Sequence, residues 1–530
     1  MPRFRSHGQL DDPFVEDGDP AFRGLDQQSE PVLLQAGFLQ IAENVRIDQG
    51  VITSRKGLEA LKTVADAKAL VKFLDPINNR EDMLIITATG ILGNGYTDIP
   101  SSLDRNEGAW QNANYNWSDY ANINETLDSA FSSNDEVFGI QAFNQVILFS
   151  KDRRPKVWDG VPNTRVSDLP LLPTSGIAEA FACPDAPFGM YFANRLVVPF
   201  YADSPSTVAF SDILDSNSFM NINTFFCNKG TSDITLGFAP FMESQVLVLN
   251  QESIHIVNAV HALEGNSASY EITRQYGIAG HRAFAQNGSY TYFVSSEGNI
   301  QVLVPSSDPA KGVGLAISKV TLDQEPLSKP ITPFMETVNL DAIDKAIVKY
   351  HRNRVYFALP VSSERPNCIA IYNSLNSVWE SIDFFEDENF EIMDINTLGP
   401  DLFILTKTQL FKYNSSSTDD GNLIKSRVRT RDYALQMRDL KKFVRGSLNY
   451  SSDGDSSITI KVHTKAPDVT VLSKKTTGTG SVNTLSRFNI RQRGYSASVD
   501  IENAGGDVEY KAVSLEAFVH GGRGTADYGN

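Results

Sequence analysis

Short apolar segments alternate with polar turns along most of this chain, beginning at Phe38. In QVLVLNQESIHIV and KAIVKYHRNRVYFALP, two runs rich in Val, Ile, Leu, Phe and Tyr flank a few polar residues. Such runs are typical of β-strands, and the longer period of amphipathic helices is scarce. The pattern therefore predicts an all-β fold.

The predicted strand pairs recur at intervals of several tens of residues, as the blades of a β-propeller do. Examples lie at residues 245–257, 290–304 and 346–359. No WD or kelch signature accompanies them. We predict a β-propeller of about six blades over residues 38–425, each blade leaving only short exposed edges.

The pattern changes after the Ser- and Asp-rich break at residues 414–422. Segments such as SSITIKVHTK and YSASVDIEN then alternate apolar and polar residues. Strict alternation is typical of a sheet with one buried and one solvated face. We therefore predict a C-terminal β-sandwich domain over residues 426–530.

Two other stretches interrupt this organisation. Residues 1–37 are rich in Asp, Pro, Gly and Gln, which predicts an extended N-terminal arm that does not fold alone. Residues 94–127 form a long polar insert that contains Trp110 and Trp117. These tryptophans could anchor a partner interface, and packing of the loop on itself is an equally good interpretation.

The formal net charge of −17 is unevenly distributed. Residues 426–530 contain 16 Lys and Arg against 11 Asp and Glu, a balance of +5, which leaves −22 for the rest of the chain. An acidic body disfavours general nucleic-acid binding. Arg427, Arg429 and Arg431 share one face of a predicted strand, where they are either solvated or turned toward a partner.

Sequence signatures of catalysis are missing. The chain has no phosphate-binding loop, dinucleotide fingerprint, nucleophile elbow or HExxH motif. Its three cysteines are far apart, and its histidines have no metal-ligand spacing. Acidic clusters at residues 11–19, 383–391 and 453–455 are better interpreted as solvated charge than as calcium loops. We expect no enzymatic activity, no cofactor and no metal site.

The N-terminal residues lack the apolar core of a signal peptide, and no apolar run is long enough for a membrane helix. We therefore expect a protein that folds in the cytoplasm and has no membrane span.

One segment, LQIAENVRIDQGVITSRKG at residues 39–57, carries a family resemblance. It matches the phrase A-x-N-[VL]-x-x-x-x-G-x-[IV]-x-x-R-x-G at Ala42, Asn44, Val45, Gly50, Ile52, Arg55 and Gly57. This phrase resembles the entry strand of the bacteriophage tail nozzle family, the tail tubular protein B-like proteins. Shorter phrases up to residue 503 resemble later parts of the same family, but the arm and the insert lie outside the match.

The resemblance implies a structural virion protein of a short-tailed phage (a podovirus), assembled in the host cytoplasm. It implies a ring, usually a hexamer, that extends the portal–adaptor channel, retains packaged DNA and gates its ejection. The implied partners are the tail adaptor, tail fibres or tailspikes, and genomic DNA that passes through the lumen without sequence-specific binding. We place the gate in the insert at residues 94–127, because long loops concentrate motion.

Two alternatives stay open. A carbohydrate-binding or glycan-cleaving propeller protein of a phage tail is the main one, because propellers host glycosidases that need two placed carboxylates. The Asp-box turns of sialidase blades are missing from this chain. A secreted adhesin is the other alternative, and the lack of a signal peptide argues against it.

Overall fold

The fold is that of a computed structural model, which describes residues 14–519 with internal gaps. The gaps are residues 76–79, 95–116, 124–130, 133–134, 162–163, 178, 202–203, 229, 242, 259, 261–267, 289, 307–318, 323–324, 388, 436–439, 453–455, 466–470 and 478–483. Within the described ranges nearly all regular structure is β-strand, so the predicted all-β class is confirmed. Among these residues, none of the helices has the length and apolar character that crossing a membrane requires.

The first strands of the chain are short. They are β1, Phe14–Asp19; β2, Gly24–Leu25; β3, Phe38–Glu43; β4, Val45–Asp48; β5, Val51–Ser54; and β6, Gly57–Thr63. Apart from the hairpin of β4 with β5 and the short parallel pair of β2 with β3, their pairing partners come much later in the sequence.

The strands that follow form three antiparallel sheets in chain order. The first sheet contains β7, Ala67–Asp75; β8, Arg80–Thr87; β9, Gly90–Asn94; and β10, Trp117–Ile123. The second contains β11, Val137–Ala142; β12, Gln145–Ser150; β13, Lys156–Trp158; and β14, Thr164–Asp168. The third contains β15, Ala180–Phe181; β16, Met190–Phe192; β17, Arg195–Pro199; β18, Thr207–Ser211; and β19, Phe219–Phe226. A parallel pairing of β10 with β14 joins the first two sheets.

Four more sheets continue the series. The fourth contains β20, Thr235–Phe241; β21, Gln245–Asn250; β22, Ile254–Val257; and β23, Ser269–Thr273. The fifth contains β24, Phe284–Asn287; β25, Tyr290–Val294; β26, Ile300–Ser306; and β27, Lys319–Leu322. A 3-10 helix (Lys329–Ile331), α1 (Thr332–Met335) and another 3-10 helix (Leu340–Lys345) lead to the next sheet.

The sixth sheet contains β28, Ile347–His351; β29, Arg354–Leu359; β30, Cys368–Asn373; and β31, Val378–Phe384. The seventh contains β32, Ile392–Leu398; β33, Asp401–Thr406; and β34, Gln409–Ser416. Its fourth strand is β6, from the beginning of the chain, which pairs antiparallel with β34. The described residues thus contain seven sheets of this series, whereas the sequence predicted about six repeats.

Neighbouring sheets of the series pack through shared apolar clusters. Alternate side chains of one strand point to opposite neighbours: Leu84 and Ile86 of β8 pack toward the second sheet, whereas Met83 and Ile85 pack toward the seventh. Comparable clusters join the second sheet to the third and so on, up to the sixth and seventh. Because both faces of these strands are covered, their sequences are continuous apolar runs.

The last part of the chain adds another set of strands. They are β35, Thr418–Asp419; β36, Asn422–Leu423; β37, Ser426–Thr430; β38, Lys441–Ser452; β39, Ser457–Lys465; β40, Val471–Thr477; β41, Thr484–Gly494; β42, Ser496–Asn503; and β43, Val508–Val519. Strands β35 and β36 pair with each other. The others join the early strands β3, β4 and β5 in two sheets, in the orders β4-β5-β43-β38-β41 and β3-β37-β42-β39-β40, and the second of these is continuous with the sixth sheet through β2. The inner faces of these sheets share one apolar cluster, and we call the two sheets the C-terminal sheet pair.

Strand pairing divides the chain differently from the sequence prediction. In the described part of the predicted arm, residues 14–19 and 24–25 belong to the sheets, because β1 pairs with β43 along its whole length and β2 pairs with β31. Strands β3, β4 and β5, which we assigned to the propeller, belong to the C-terminal sheet pair. Local composition did not indicate these pairings, because the partner strands lie hundreds of residues away.

Candidate functional site

Two residues of the family phrase, Asn44 and Arg55, meet at a buried junction of four segments. Asn44 has φ of +55°, a left-handed conformation that Asn tolerates better than most residues. Its Nδ2 donates to the carbonyl of Lys425 (2.7 Å), and its Oδ1 accepts from Arg55 Nε (3.0 Å) and from the Phe384 amide (2.9 Å). One side chain therefore links the turn between β3 and β4 with the residue after β5, the end of β31 and the segment before β37.

Arg55 is only 1% exposed, although its guanidinium is charged. Its Nη1 donates to Asp419 Oδ1 (2.8 Å), its Nη2 donates to Asp419 Oδ2, and Nη2 also reaches the carbonyl of Phe384 (3.0 Å). Burial alone would lower the pKa of Arg55, but the hydrogen bonds with Asp419 raise it above its usual value. A bidentate pair of this kind fixes both distance and orientation.

A second buried pair adjoins the first. Arg46 donates to both oxygens of Asp383 (3.0 and 2.6 Å) and to Tyr413 Oη (2.6 Å), and Tyr413 in turn donates to Asp383. Burial would raise the pKa of Asp383, but Arg46 and the nearby Arg55 hold it below its usual value. We call Asn44, Arg46, Arg55, Asp383, Tyr413 and Asp419 the motif joint.

The glycines of the phrase occupy places where a side chain would collide. A Cβ at Gly57 would lie 2.1 Å from the carbonyl oxygen of Thr418. Gly50 has φ of +83°, and a Cβ there would lie 2.9 Å from that of Ala21. Ala42 is 1% exposed within the apolar core. The phrase therefore describes a packed junction of segments, in which the polar side chains of Asn44 and Arg55 bond to other parts of the chain.

Arg427 and Arg429 of the predicted arginine row lie on β37, and Arg431 directly follows that strand. Each of the three side chains is partly buried and engaged within the chain. Arg427 donates to both oxygens of Asp500 (3.1 and 2.7 Å), and this hydrogen bonding raises the pKa of Arg427. Arg429 Nε lies 3.4 Å from Ser498 Oγ. A partner-facing role for this row stays a prediction.

Arg431, the third member of the row, holds the N-terminal segment. It donates to Asp19 (3.1 Å) and Asp17 (2.9 Å), and Tyr433 Oη donates to the other oxygen of Asp19 (2.8 Å). Asp19 is fully buried and also accepts from the Gly37 amide (3.0 Å). The interpretation of the acidic clusters as solvated charge is thus wrong for Asp19, as it is for Asp383, because both carboxylates are buried and paired with arginines.

Of the two tryptophans of the insert, the structure describes the backbone of Trp117. Trp110 lies outside the described residues, as do residues 95–116 and 124–127 of the predicted gate. Trp117 begins β10 and is paired in register with Asn94 of β9, but its side chain is not among the described ones. Their predicted role as interface anchors stays a prediction.

A segment that the sequence did not single out, residues 280–282, contacts several sheets of the series at once. The His281 ring lies against Phe138 of β11 (5.5 Å between centroids) and stacks on Phe188 before β16 (6.0 Å). Arg282 Nη2 donates to the carbonyl of Val137 (2.6 Å) and lies 3.6 Å from Asp394 of β32. Only the phrase YGIAGHRA could have indicated it, and its residues have no diagnostic spacing.

The environment of His281 is apolar. Its Nε2 is buried and has no hydrogen-bond partner among the described residues. Burial lowers the pKa of His281 to about 3, and the nearby Arg282 acts in the same direction. The imidazole is therefore neutral at physiological pH.

Two surface cavities lie among the described residues. One, of about 620 Å³, lies beside the third sheet and is lined by the stacked rings of Phe181 and Phe200 together with Arg154, Glu179 and Asp185. The other, of about 490 Å³, lies beside the seventh sheet and has Asp387, Glu391 and Asp420 around a floor of Phe385 and Phe390.

Metal and thiol chemistry find no support in the residues that can be described. No group of three or more His, Cys, Asp or Glu side chains among them is arranged to hold a metal ion. The three cysteines are free and buried, and burial raises the pKa of Cys227 to about 12. Such thiols are inert packing residues rather than nucleophiles.

No protein-family model matches the chain, and no curated protein matches it. Among solved structures, it is similar to Hsv2 of Kluyveromyces lactis at 12% identity, over 49% of this chain and 66% of that one, with a TM-score of 0.29. It is also similar to the extracellular domain of a one component system of B. thetaiotaomicron at 10% identity, over 86% of this chain and 59% of that one, with a TM-score of 0.39.

A third similarity is to an exo-beta-1,3-galactanase of Phanerochaete chrysosporium, at 9% identity over 72% of this chain and 95% of the enzyme, with a TM-score of 0.25. The chain thus spans 66% and 59% of the length of the first two structures. Similarities this distant assign no function, and none of the three structures is a phage tail protein.

Proposed function

We propose that this protein is a structural ring subunit of a short phage tail, a nozzle that extends the portal–adaptor channel and retains packaged DNA until ejection. The observation that carries the proposal is the motif joint. Asn44 and Arg55, which belong to the phrase that resembles the nozzle family, are buried and link distant segments of the chain, as expected for a structural protein. An active site would instead present polar groups toward a cleft.

The proposal includes a finer description of the fold. We infer that the seven sheets are the blades of one β-propeller and that the C-terminal sheet pair is a β-sandwich. In support, each sheet shares an apolar cluster with the next, and the seventh shares one with the first. Strand β6, from the beginning of the chain, completes the seventh sheet by pairing with β34. Propellers whose last blade takes a strand from the other end of the chain are closed in the same way.

The segment at residues 280–282 indicates where DNA would pass in the proposed ring. If the sheets surround one axis, the ion pair of Arg282 with Asp394 and the ring of His281 fill the space near it. DNA would then pass between copies of the protein, through the centre of a ring of subunits. An acidic wall would repel phosphate there and let the duplex move without binding.

Electron microscopy of the purified protein, alone and mixed with a portal–adaptor complex, tests the proposal. We expect rings of usually six copies that cap the adaptor, and leakage of packaged DNA from particles that lack the protein. A protein that never assembles on the adaptor would overturn the proposal.

The second candidate, a glycan-binding or glycan-cleaving tail protein, is favoured by the cavity beside the third sheet. Its stacked Phe181 and Phe200 offer apolar ring faces, and Glu179 and Asp185 offer carboxylates, which are the groups that bind and hydrolyse sugars. The test is binding and hydrolysis of host-surface polysaccharide by the wild type and by Glu179→Gln with Asp185→Asn. Cleavage that the double variant abolishes would favour this candidate over the nozzle.

A further inference from the structure

The outer face of β38 and β41 carries a group of exposed cations. Lys442 of β38 is paired in register with Arg493 of β41, and both side chains are exposed. Cβ atoms of residues paired in this way lie about 5 Å apart, so like charges there repel each other. Arg491, also exposed, is two residues before Arg493. We call Lys442, Arg491 and Arg493 the basic edge.

No described charge of the chain neutralises the basic edge. Within the described residues, none of its three side chains forms an ion pair, although Arg445 on the same face is paired with Glu516. Strand β41 is also the last strand of its sheet. Side chains that repel one another on an open sheet edge are stabilised when a partner supplies carboxylates.

The shape of β41 indicates how a partner would bind. Arg491 has φ of +56°, and the pairing register shifts beside it, between Phe443 and Arg445. Such a bulge interrupts the row of backbone groups at an edge and prevents another strand from pairing there. Binding at the basic edge would therefore use side chains rather than strand addition.

A surface of opposite charge lies beside the seventh sheet. The cavity of about 490 Å³ is bordered by Asp387, Glu391 and Asp420, and none of these forms an ion pair among the residues that are described. Glu386 is already paired with Lys425 (2.7 Å), and Lys407 is a cation on the rim. We call Asp387, Glu391 and Asp420, with their aromatic floor of Phe385 and Phe390, the acidic cleft.

The basic edge and the acidic cleft match in charge but are not joined by any described ion pair within one chain. We propose that the basic edge of one copy docks on the acidic cleft of a second copy, with Tyr495, which is 50% exposed, contacting the aromatic floor. A contact between two different patches is heterologous, and it generates a closed ring when its rotation closes. The inference rests on the proposed ring function and supplies the surface that would build the ring.

Charge reversal on the full chain tests the contact. One variant carries Lys442→Glu with Arg493→Glu, and another carries Asp387→Lys with Glu391→Lys. We expect each to raise the dissociation constant for self-association by roughly tenfold or more, measured by sedimentation velocity, because like charges then face each other. The chain with all four substitutions should associate again, because its reversed surfaces are complementary.

A mixing experiment tests the heterologous geometry. The two reversal variants should associate with each other in alternation when they are mixed in equal amounts. The intact basic edge of one then meets the intact acidic cleft of the other, and their two reversed surfaces are also complementary. The matched control, Lys151→Glu with Arg165→Glu, reverses two exposed cations of the second sheet and should leave association unchanged. Thermal unfolding of every variant shows whether the fold is retained.

The outcomes separate this inference from the proposed function. Rings that form equally well on the adaptor with every variant would overturn the docking contact and leave the nozzle function standing. Association that follows the charge pattern, without any assembly on the adaptor, would support the contact and overturn the nozzle. A wild type that stays monomeric, or a basic edge that binds duplex DNA instead, would overturn the contact.

Discussion

Two groups of arginines in this protein have the same chemistry and different surroundings. In the motif joint, Arg46 and Arg55 and their carboxylate partners are almost completely buried. On β37, Arg427 keeps 36% of its side chain exposed while it pairs with a buried Asp500. The comparison teaches that removing one partner of a charged pair strongly destabilises the fold only where water is excluded. At a solvated pair, water replaces the missing partner at little cost in free energy.

Removing the central carboxylate of the joint gives the largest expected effect. In Asp383→Ala, Arg46 would keep its charge in a buried place without its partner, which typically costs about 3–5 kcal/mol of unfolding free energy. Urea unfolding followed by circular dichroism measures the change. The control is Glu325→Ala, which removes the exposed partner of Lys329. A loss of unfolding free energy no greater than that of the control would show that the motif joint does not stabilise the fold.

The next effect is expected at the half-buried end of the β37 row. In Asp19→Ala, Arg431, Tyr433 and the Gly37 amide all lose an acceptor, and we expect a loss of roughly 2–3 kcal/mol. Because Asp19 ends β1, hydrogen exchange should also accelerate in β1 and in the facing part of β43. Unchanged exchange in those strands would contradict a role for Asp19 in holding the N-terminal segment.

His281 extends the comparison of buried and solvated charged groups, because it is buried and its Nε2 has no hydrogen-bond partner among the described residues. Its pKa is about 3 in the folded protein against 6.5 ordinarily, so the unfolded chain binds a proton that the folded protein rejects. Above pH 6.5 His281 is neutral in both states and does not change the free energy of unfolding. As the pH drops from 6.5 toward 3, this group lowers the free energy of unfolding by about 1.4 kcal/mol per pH unit.

The variant His281→Phe keeps a stacked ring and removes that proton. Its stability should match the wild type at pH 8 and exceed it increasingly between pH 6.5 and pH 4, as measured by urea unfolding at each pH. Parallel curves for the two proteins would contradict the assignment of His281 as a buried neutral group.

The smallest loss of unfolding free energy is expected at the partly exposed pair of Arg427 with Asp500. Arg427→Ala should cost about 1 kcal/mol or less, because water reaches Asp500 once the guanidinium is gone. The loss should shrink further in 1 M salt, whereas the loss in Asp383→Ala should not. Equal salt sensitivity of the two variants would remove the distinction between buried and solvated pairs.

Much of the fold follows from local pattern, and the rest depends on distant pairing. The apolar runs predicted strands correctly, since both faces of the strands are covered in sheets such as the fourth. The number of sheets did not follow, because the seventh sheet takes β6 from the other end of the chain. The pairing of residues 14–19 of the predicted arm did not follow for the same reason, since β1 has its partner in β43.

The site divides in a similar way. The phrase that contains Asn44, Gly50 and Arg55 was found from its spacing, and the turn predicted at Gly50 is present. The partners of that phrase, Asp383 and Asp419, were not found, because an acidic residue near a turn looks the same in sequence whether it is solvated or buried. His281 was missed for the related reason that a single histidine has no pattern.

The closure of the seventh sheet by β6 has a consequence for how the protein is made. Residues 57–63 leave the ribosome early, but their partner, Gln409–Ser416, is synthesised only after the other six sheets. The growing chain therefore carries an unpaired strand throughout most of its synthesis, in a fold whose contact order is high. Any chain that stops before residue 409 keeps this strand exposed, so incomplete products would aggregate or be degraded rather than accumulate as partial folds.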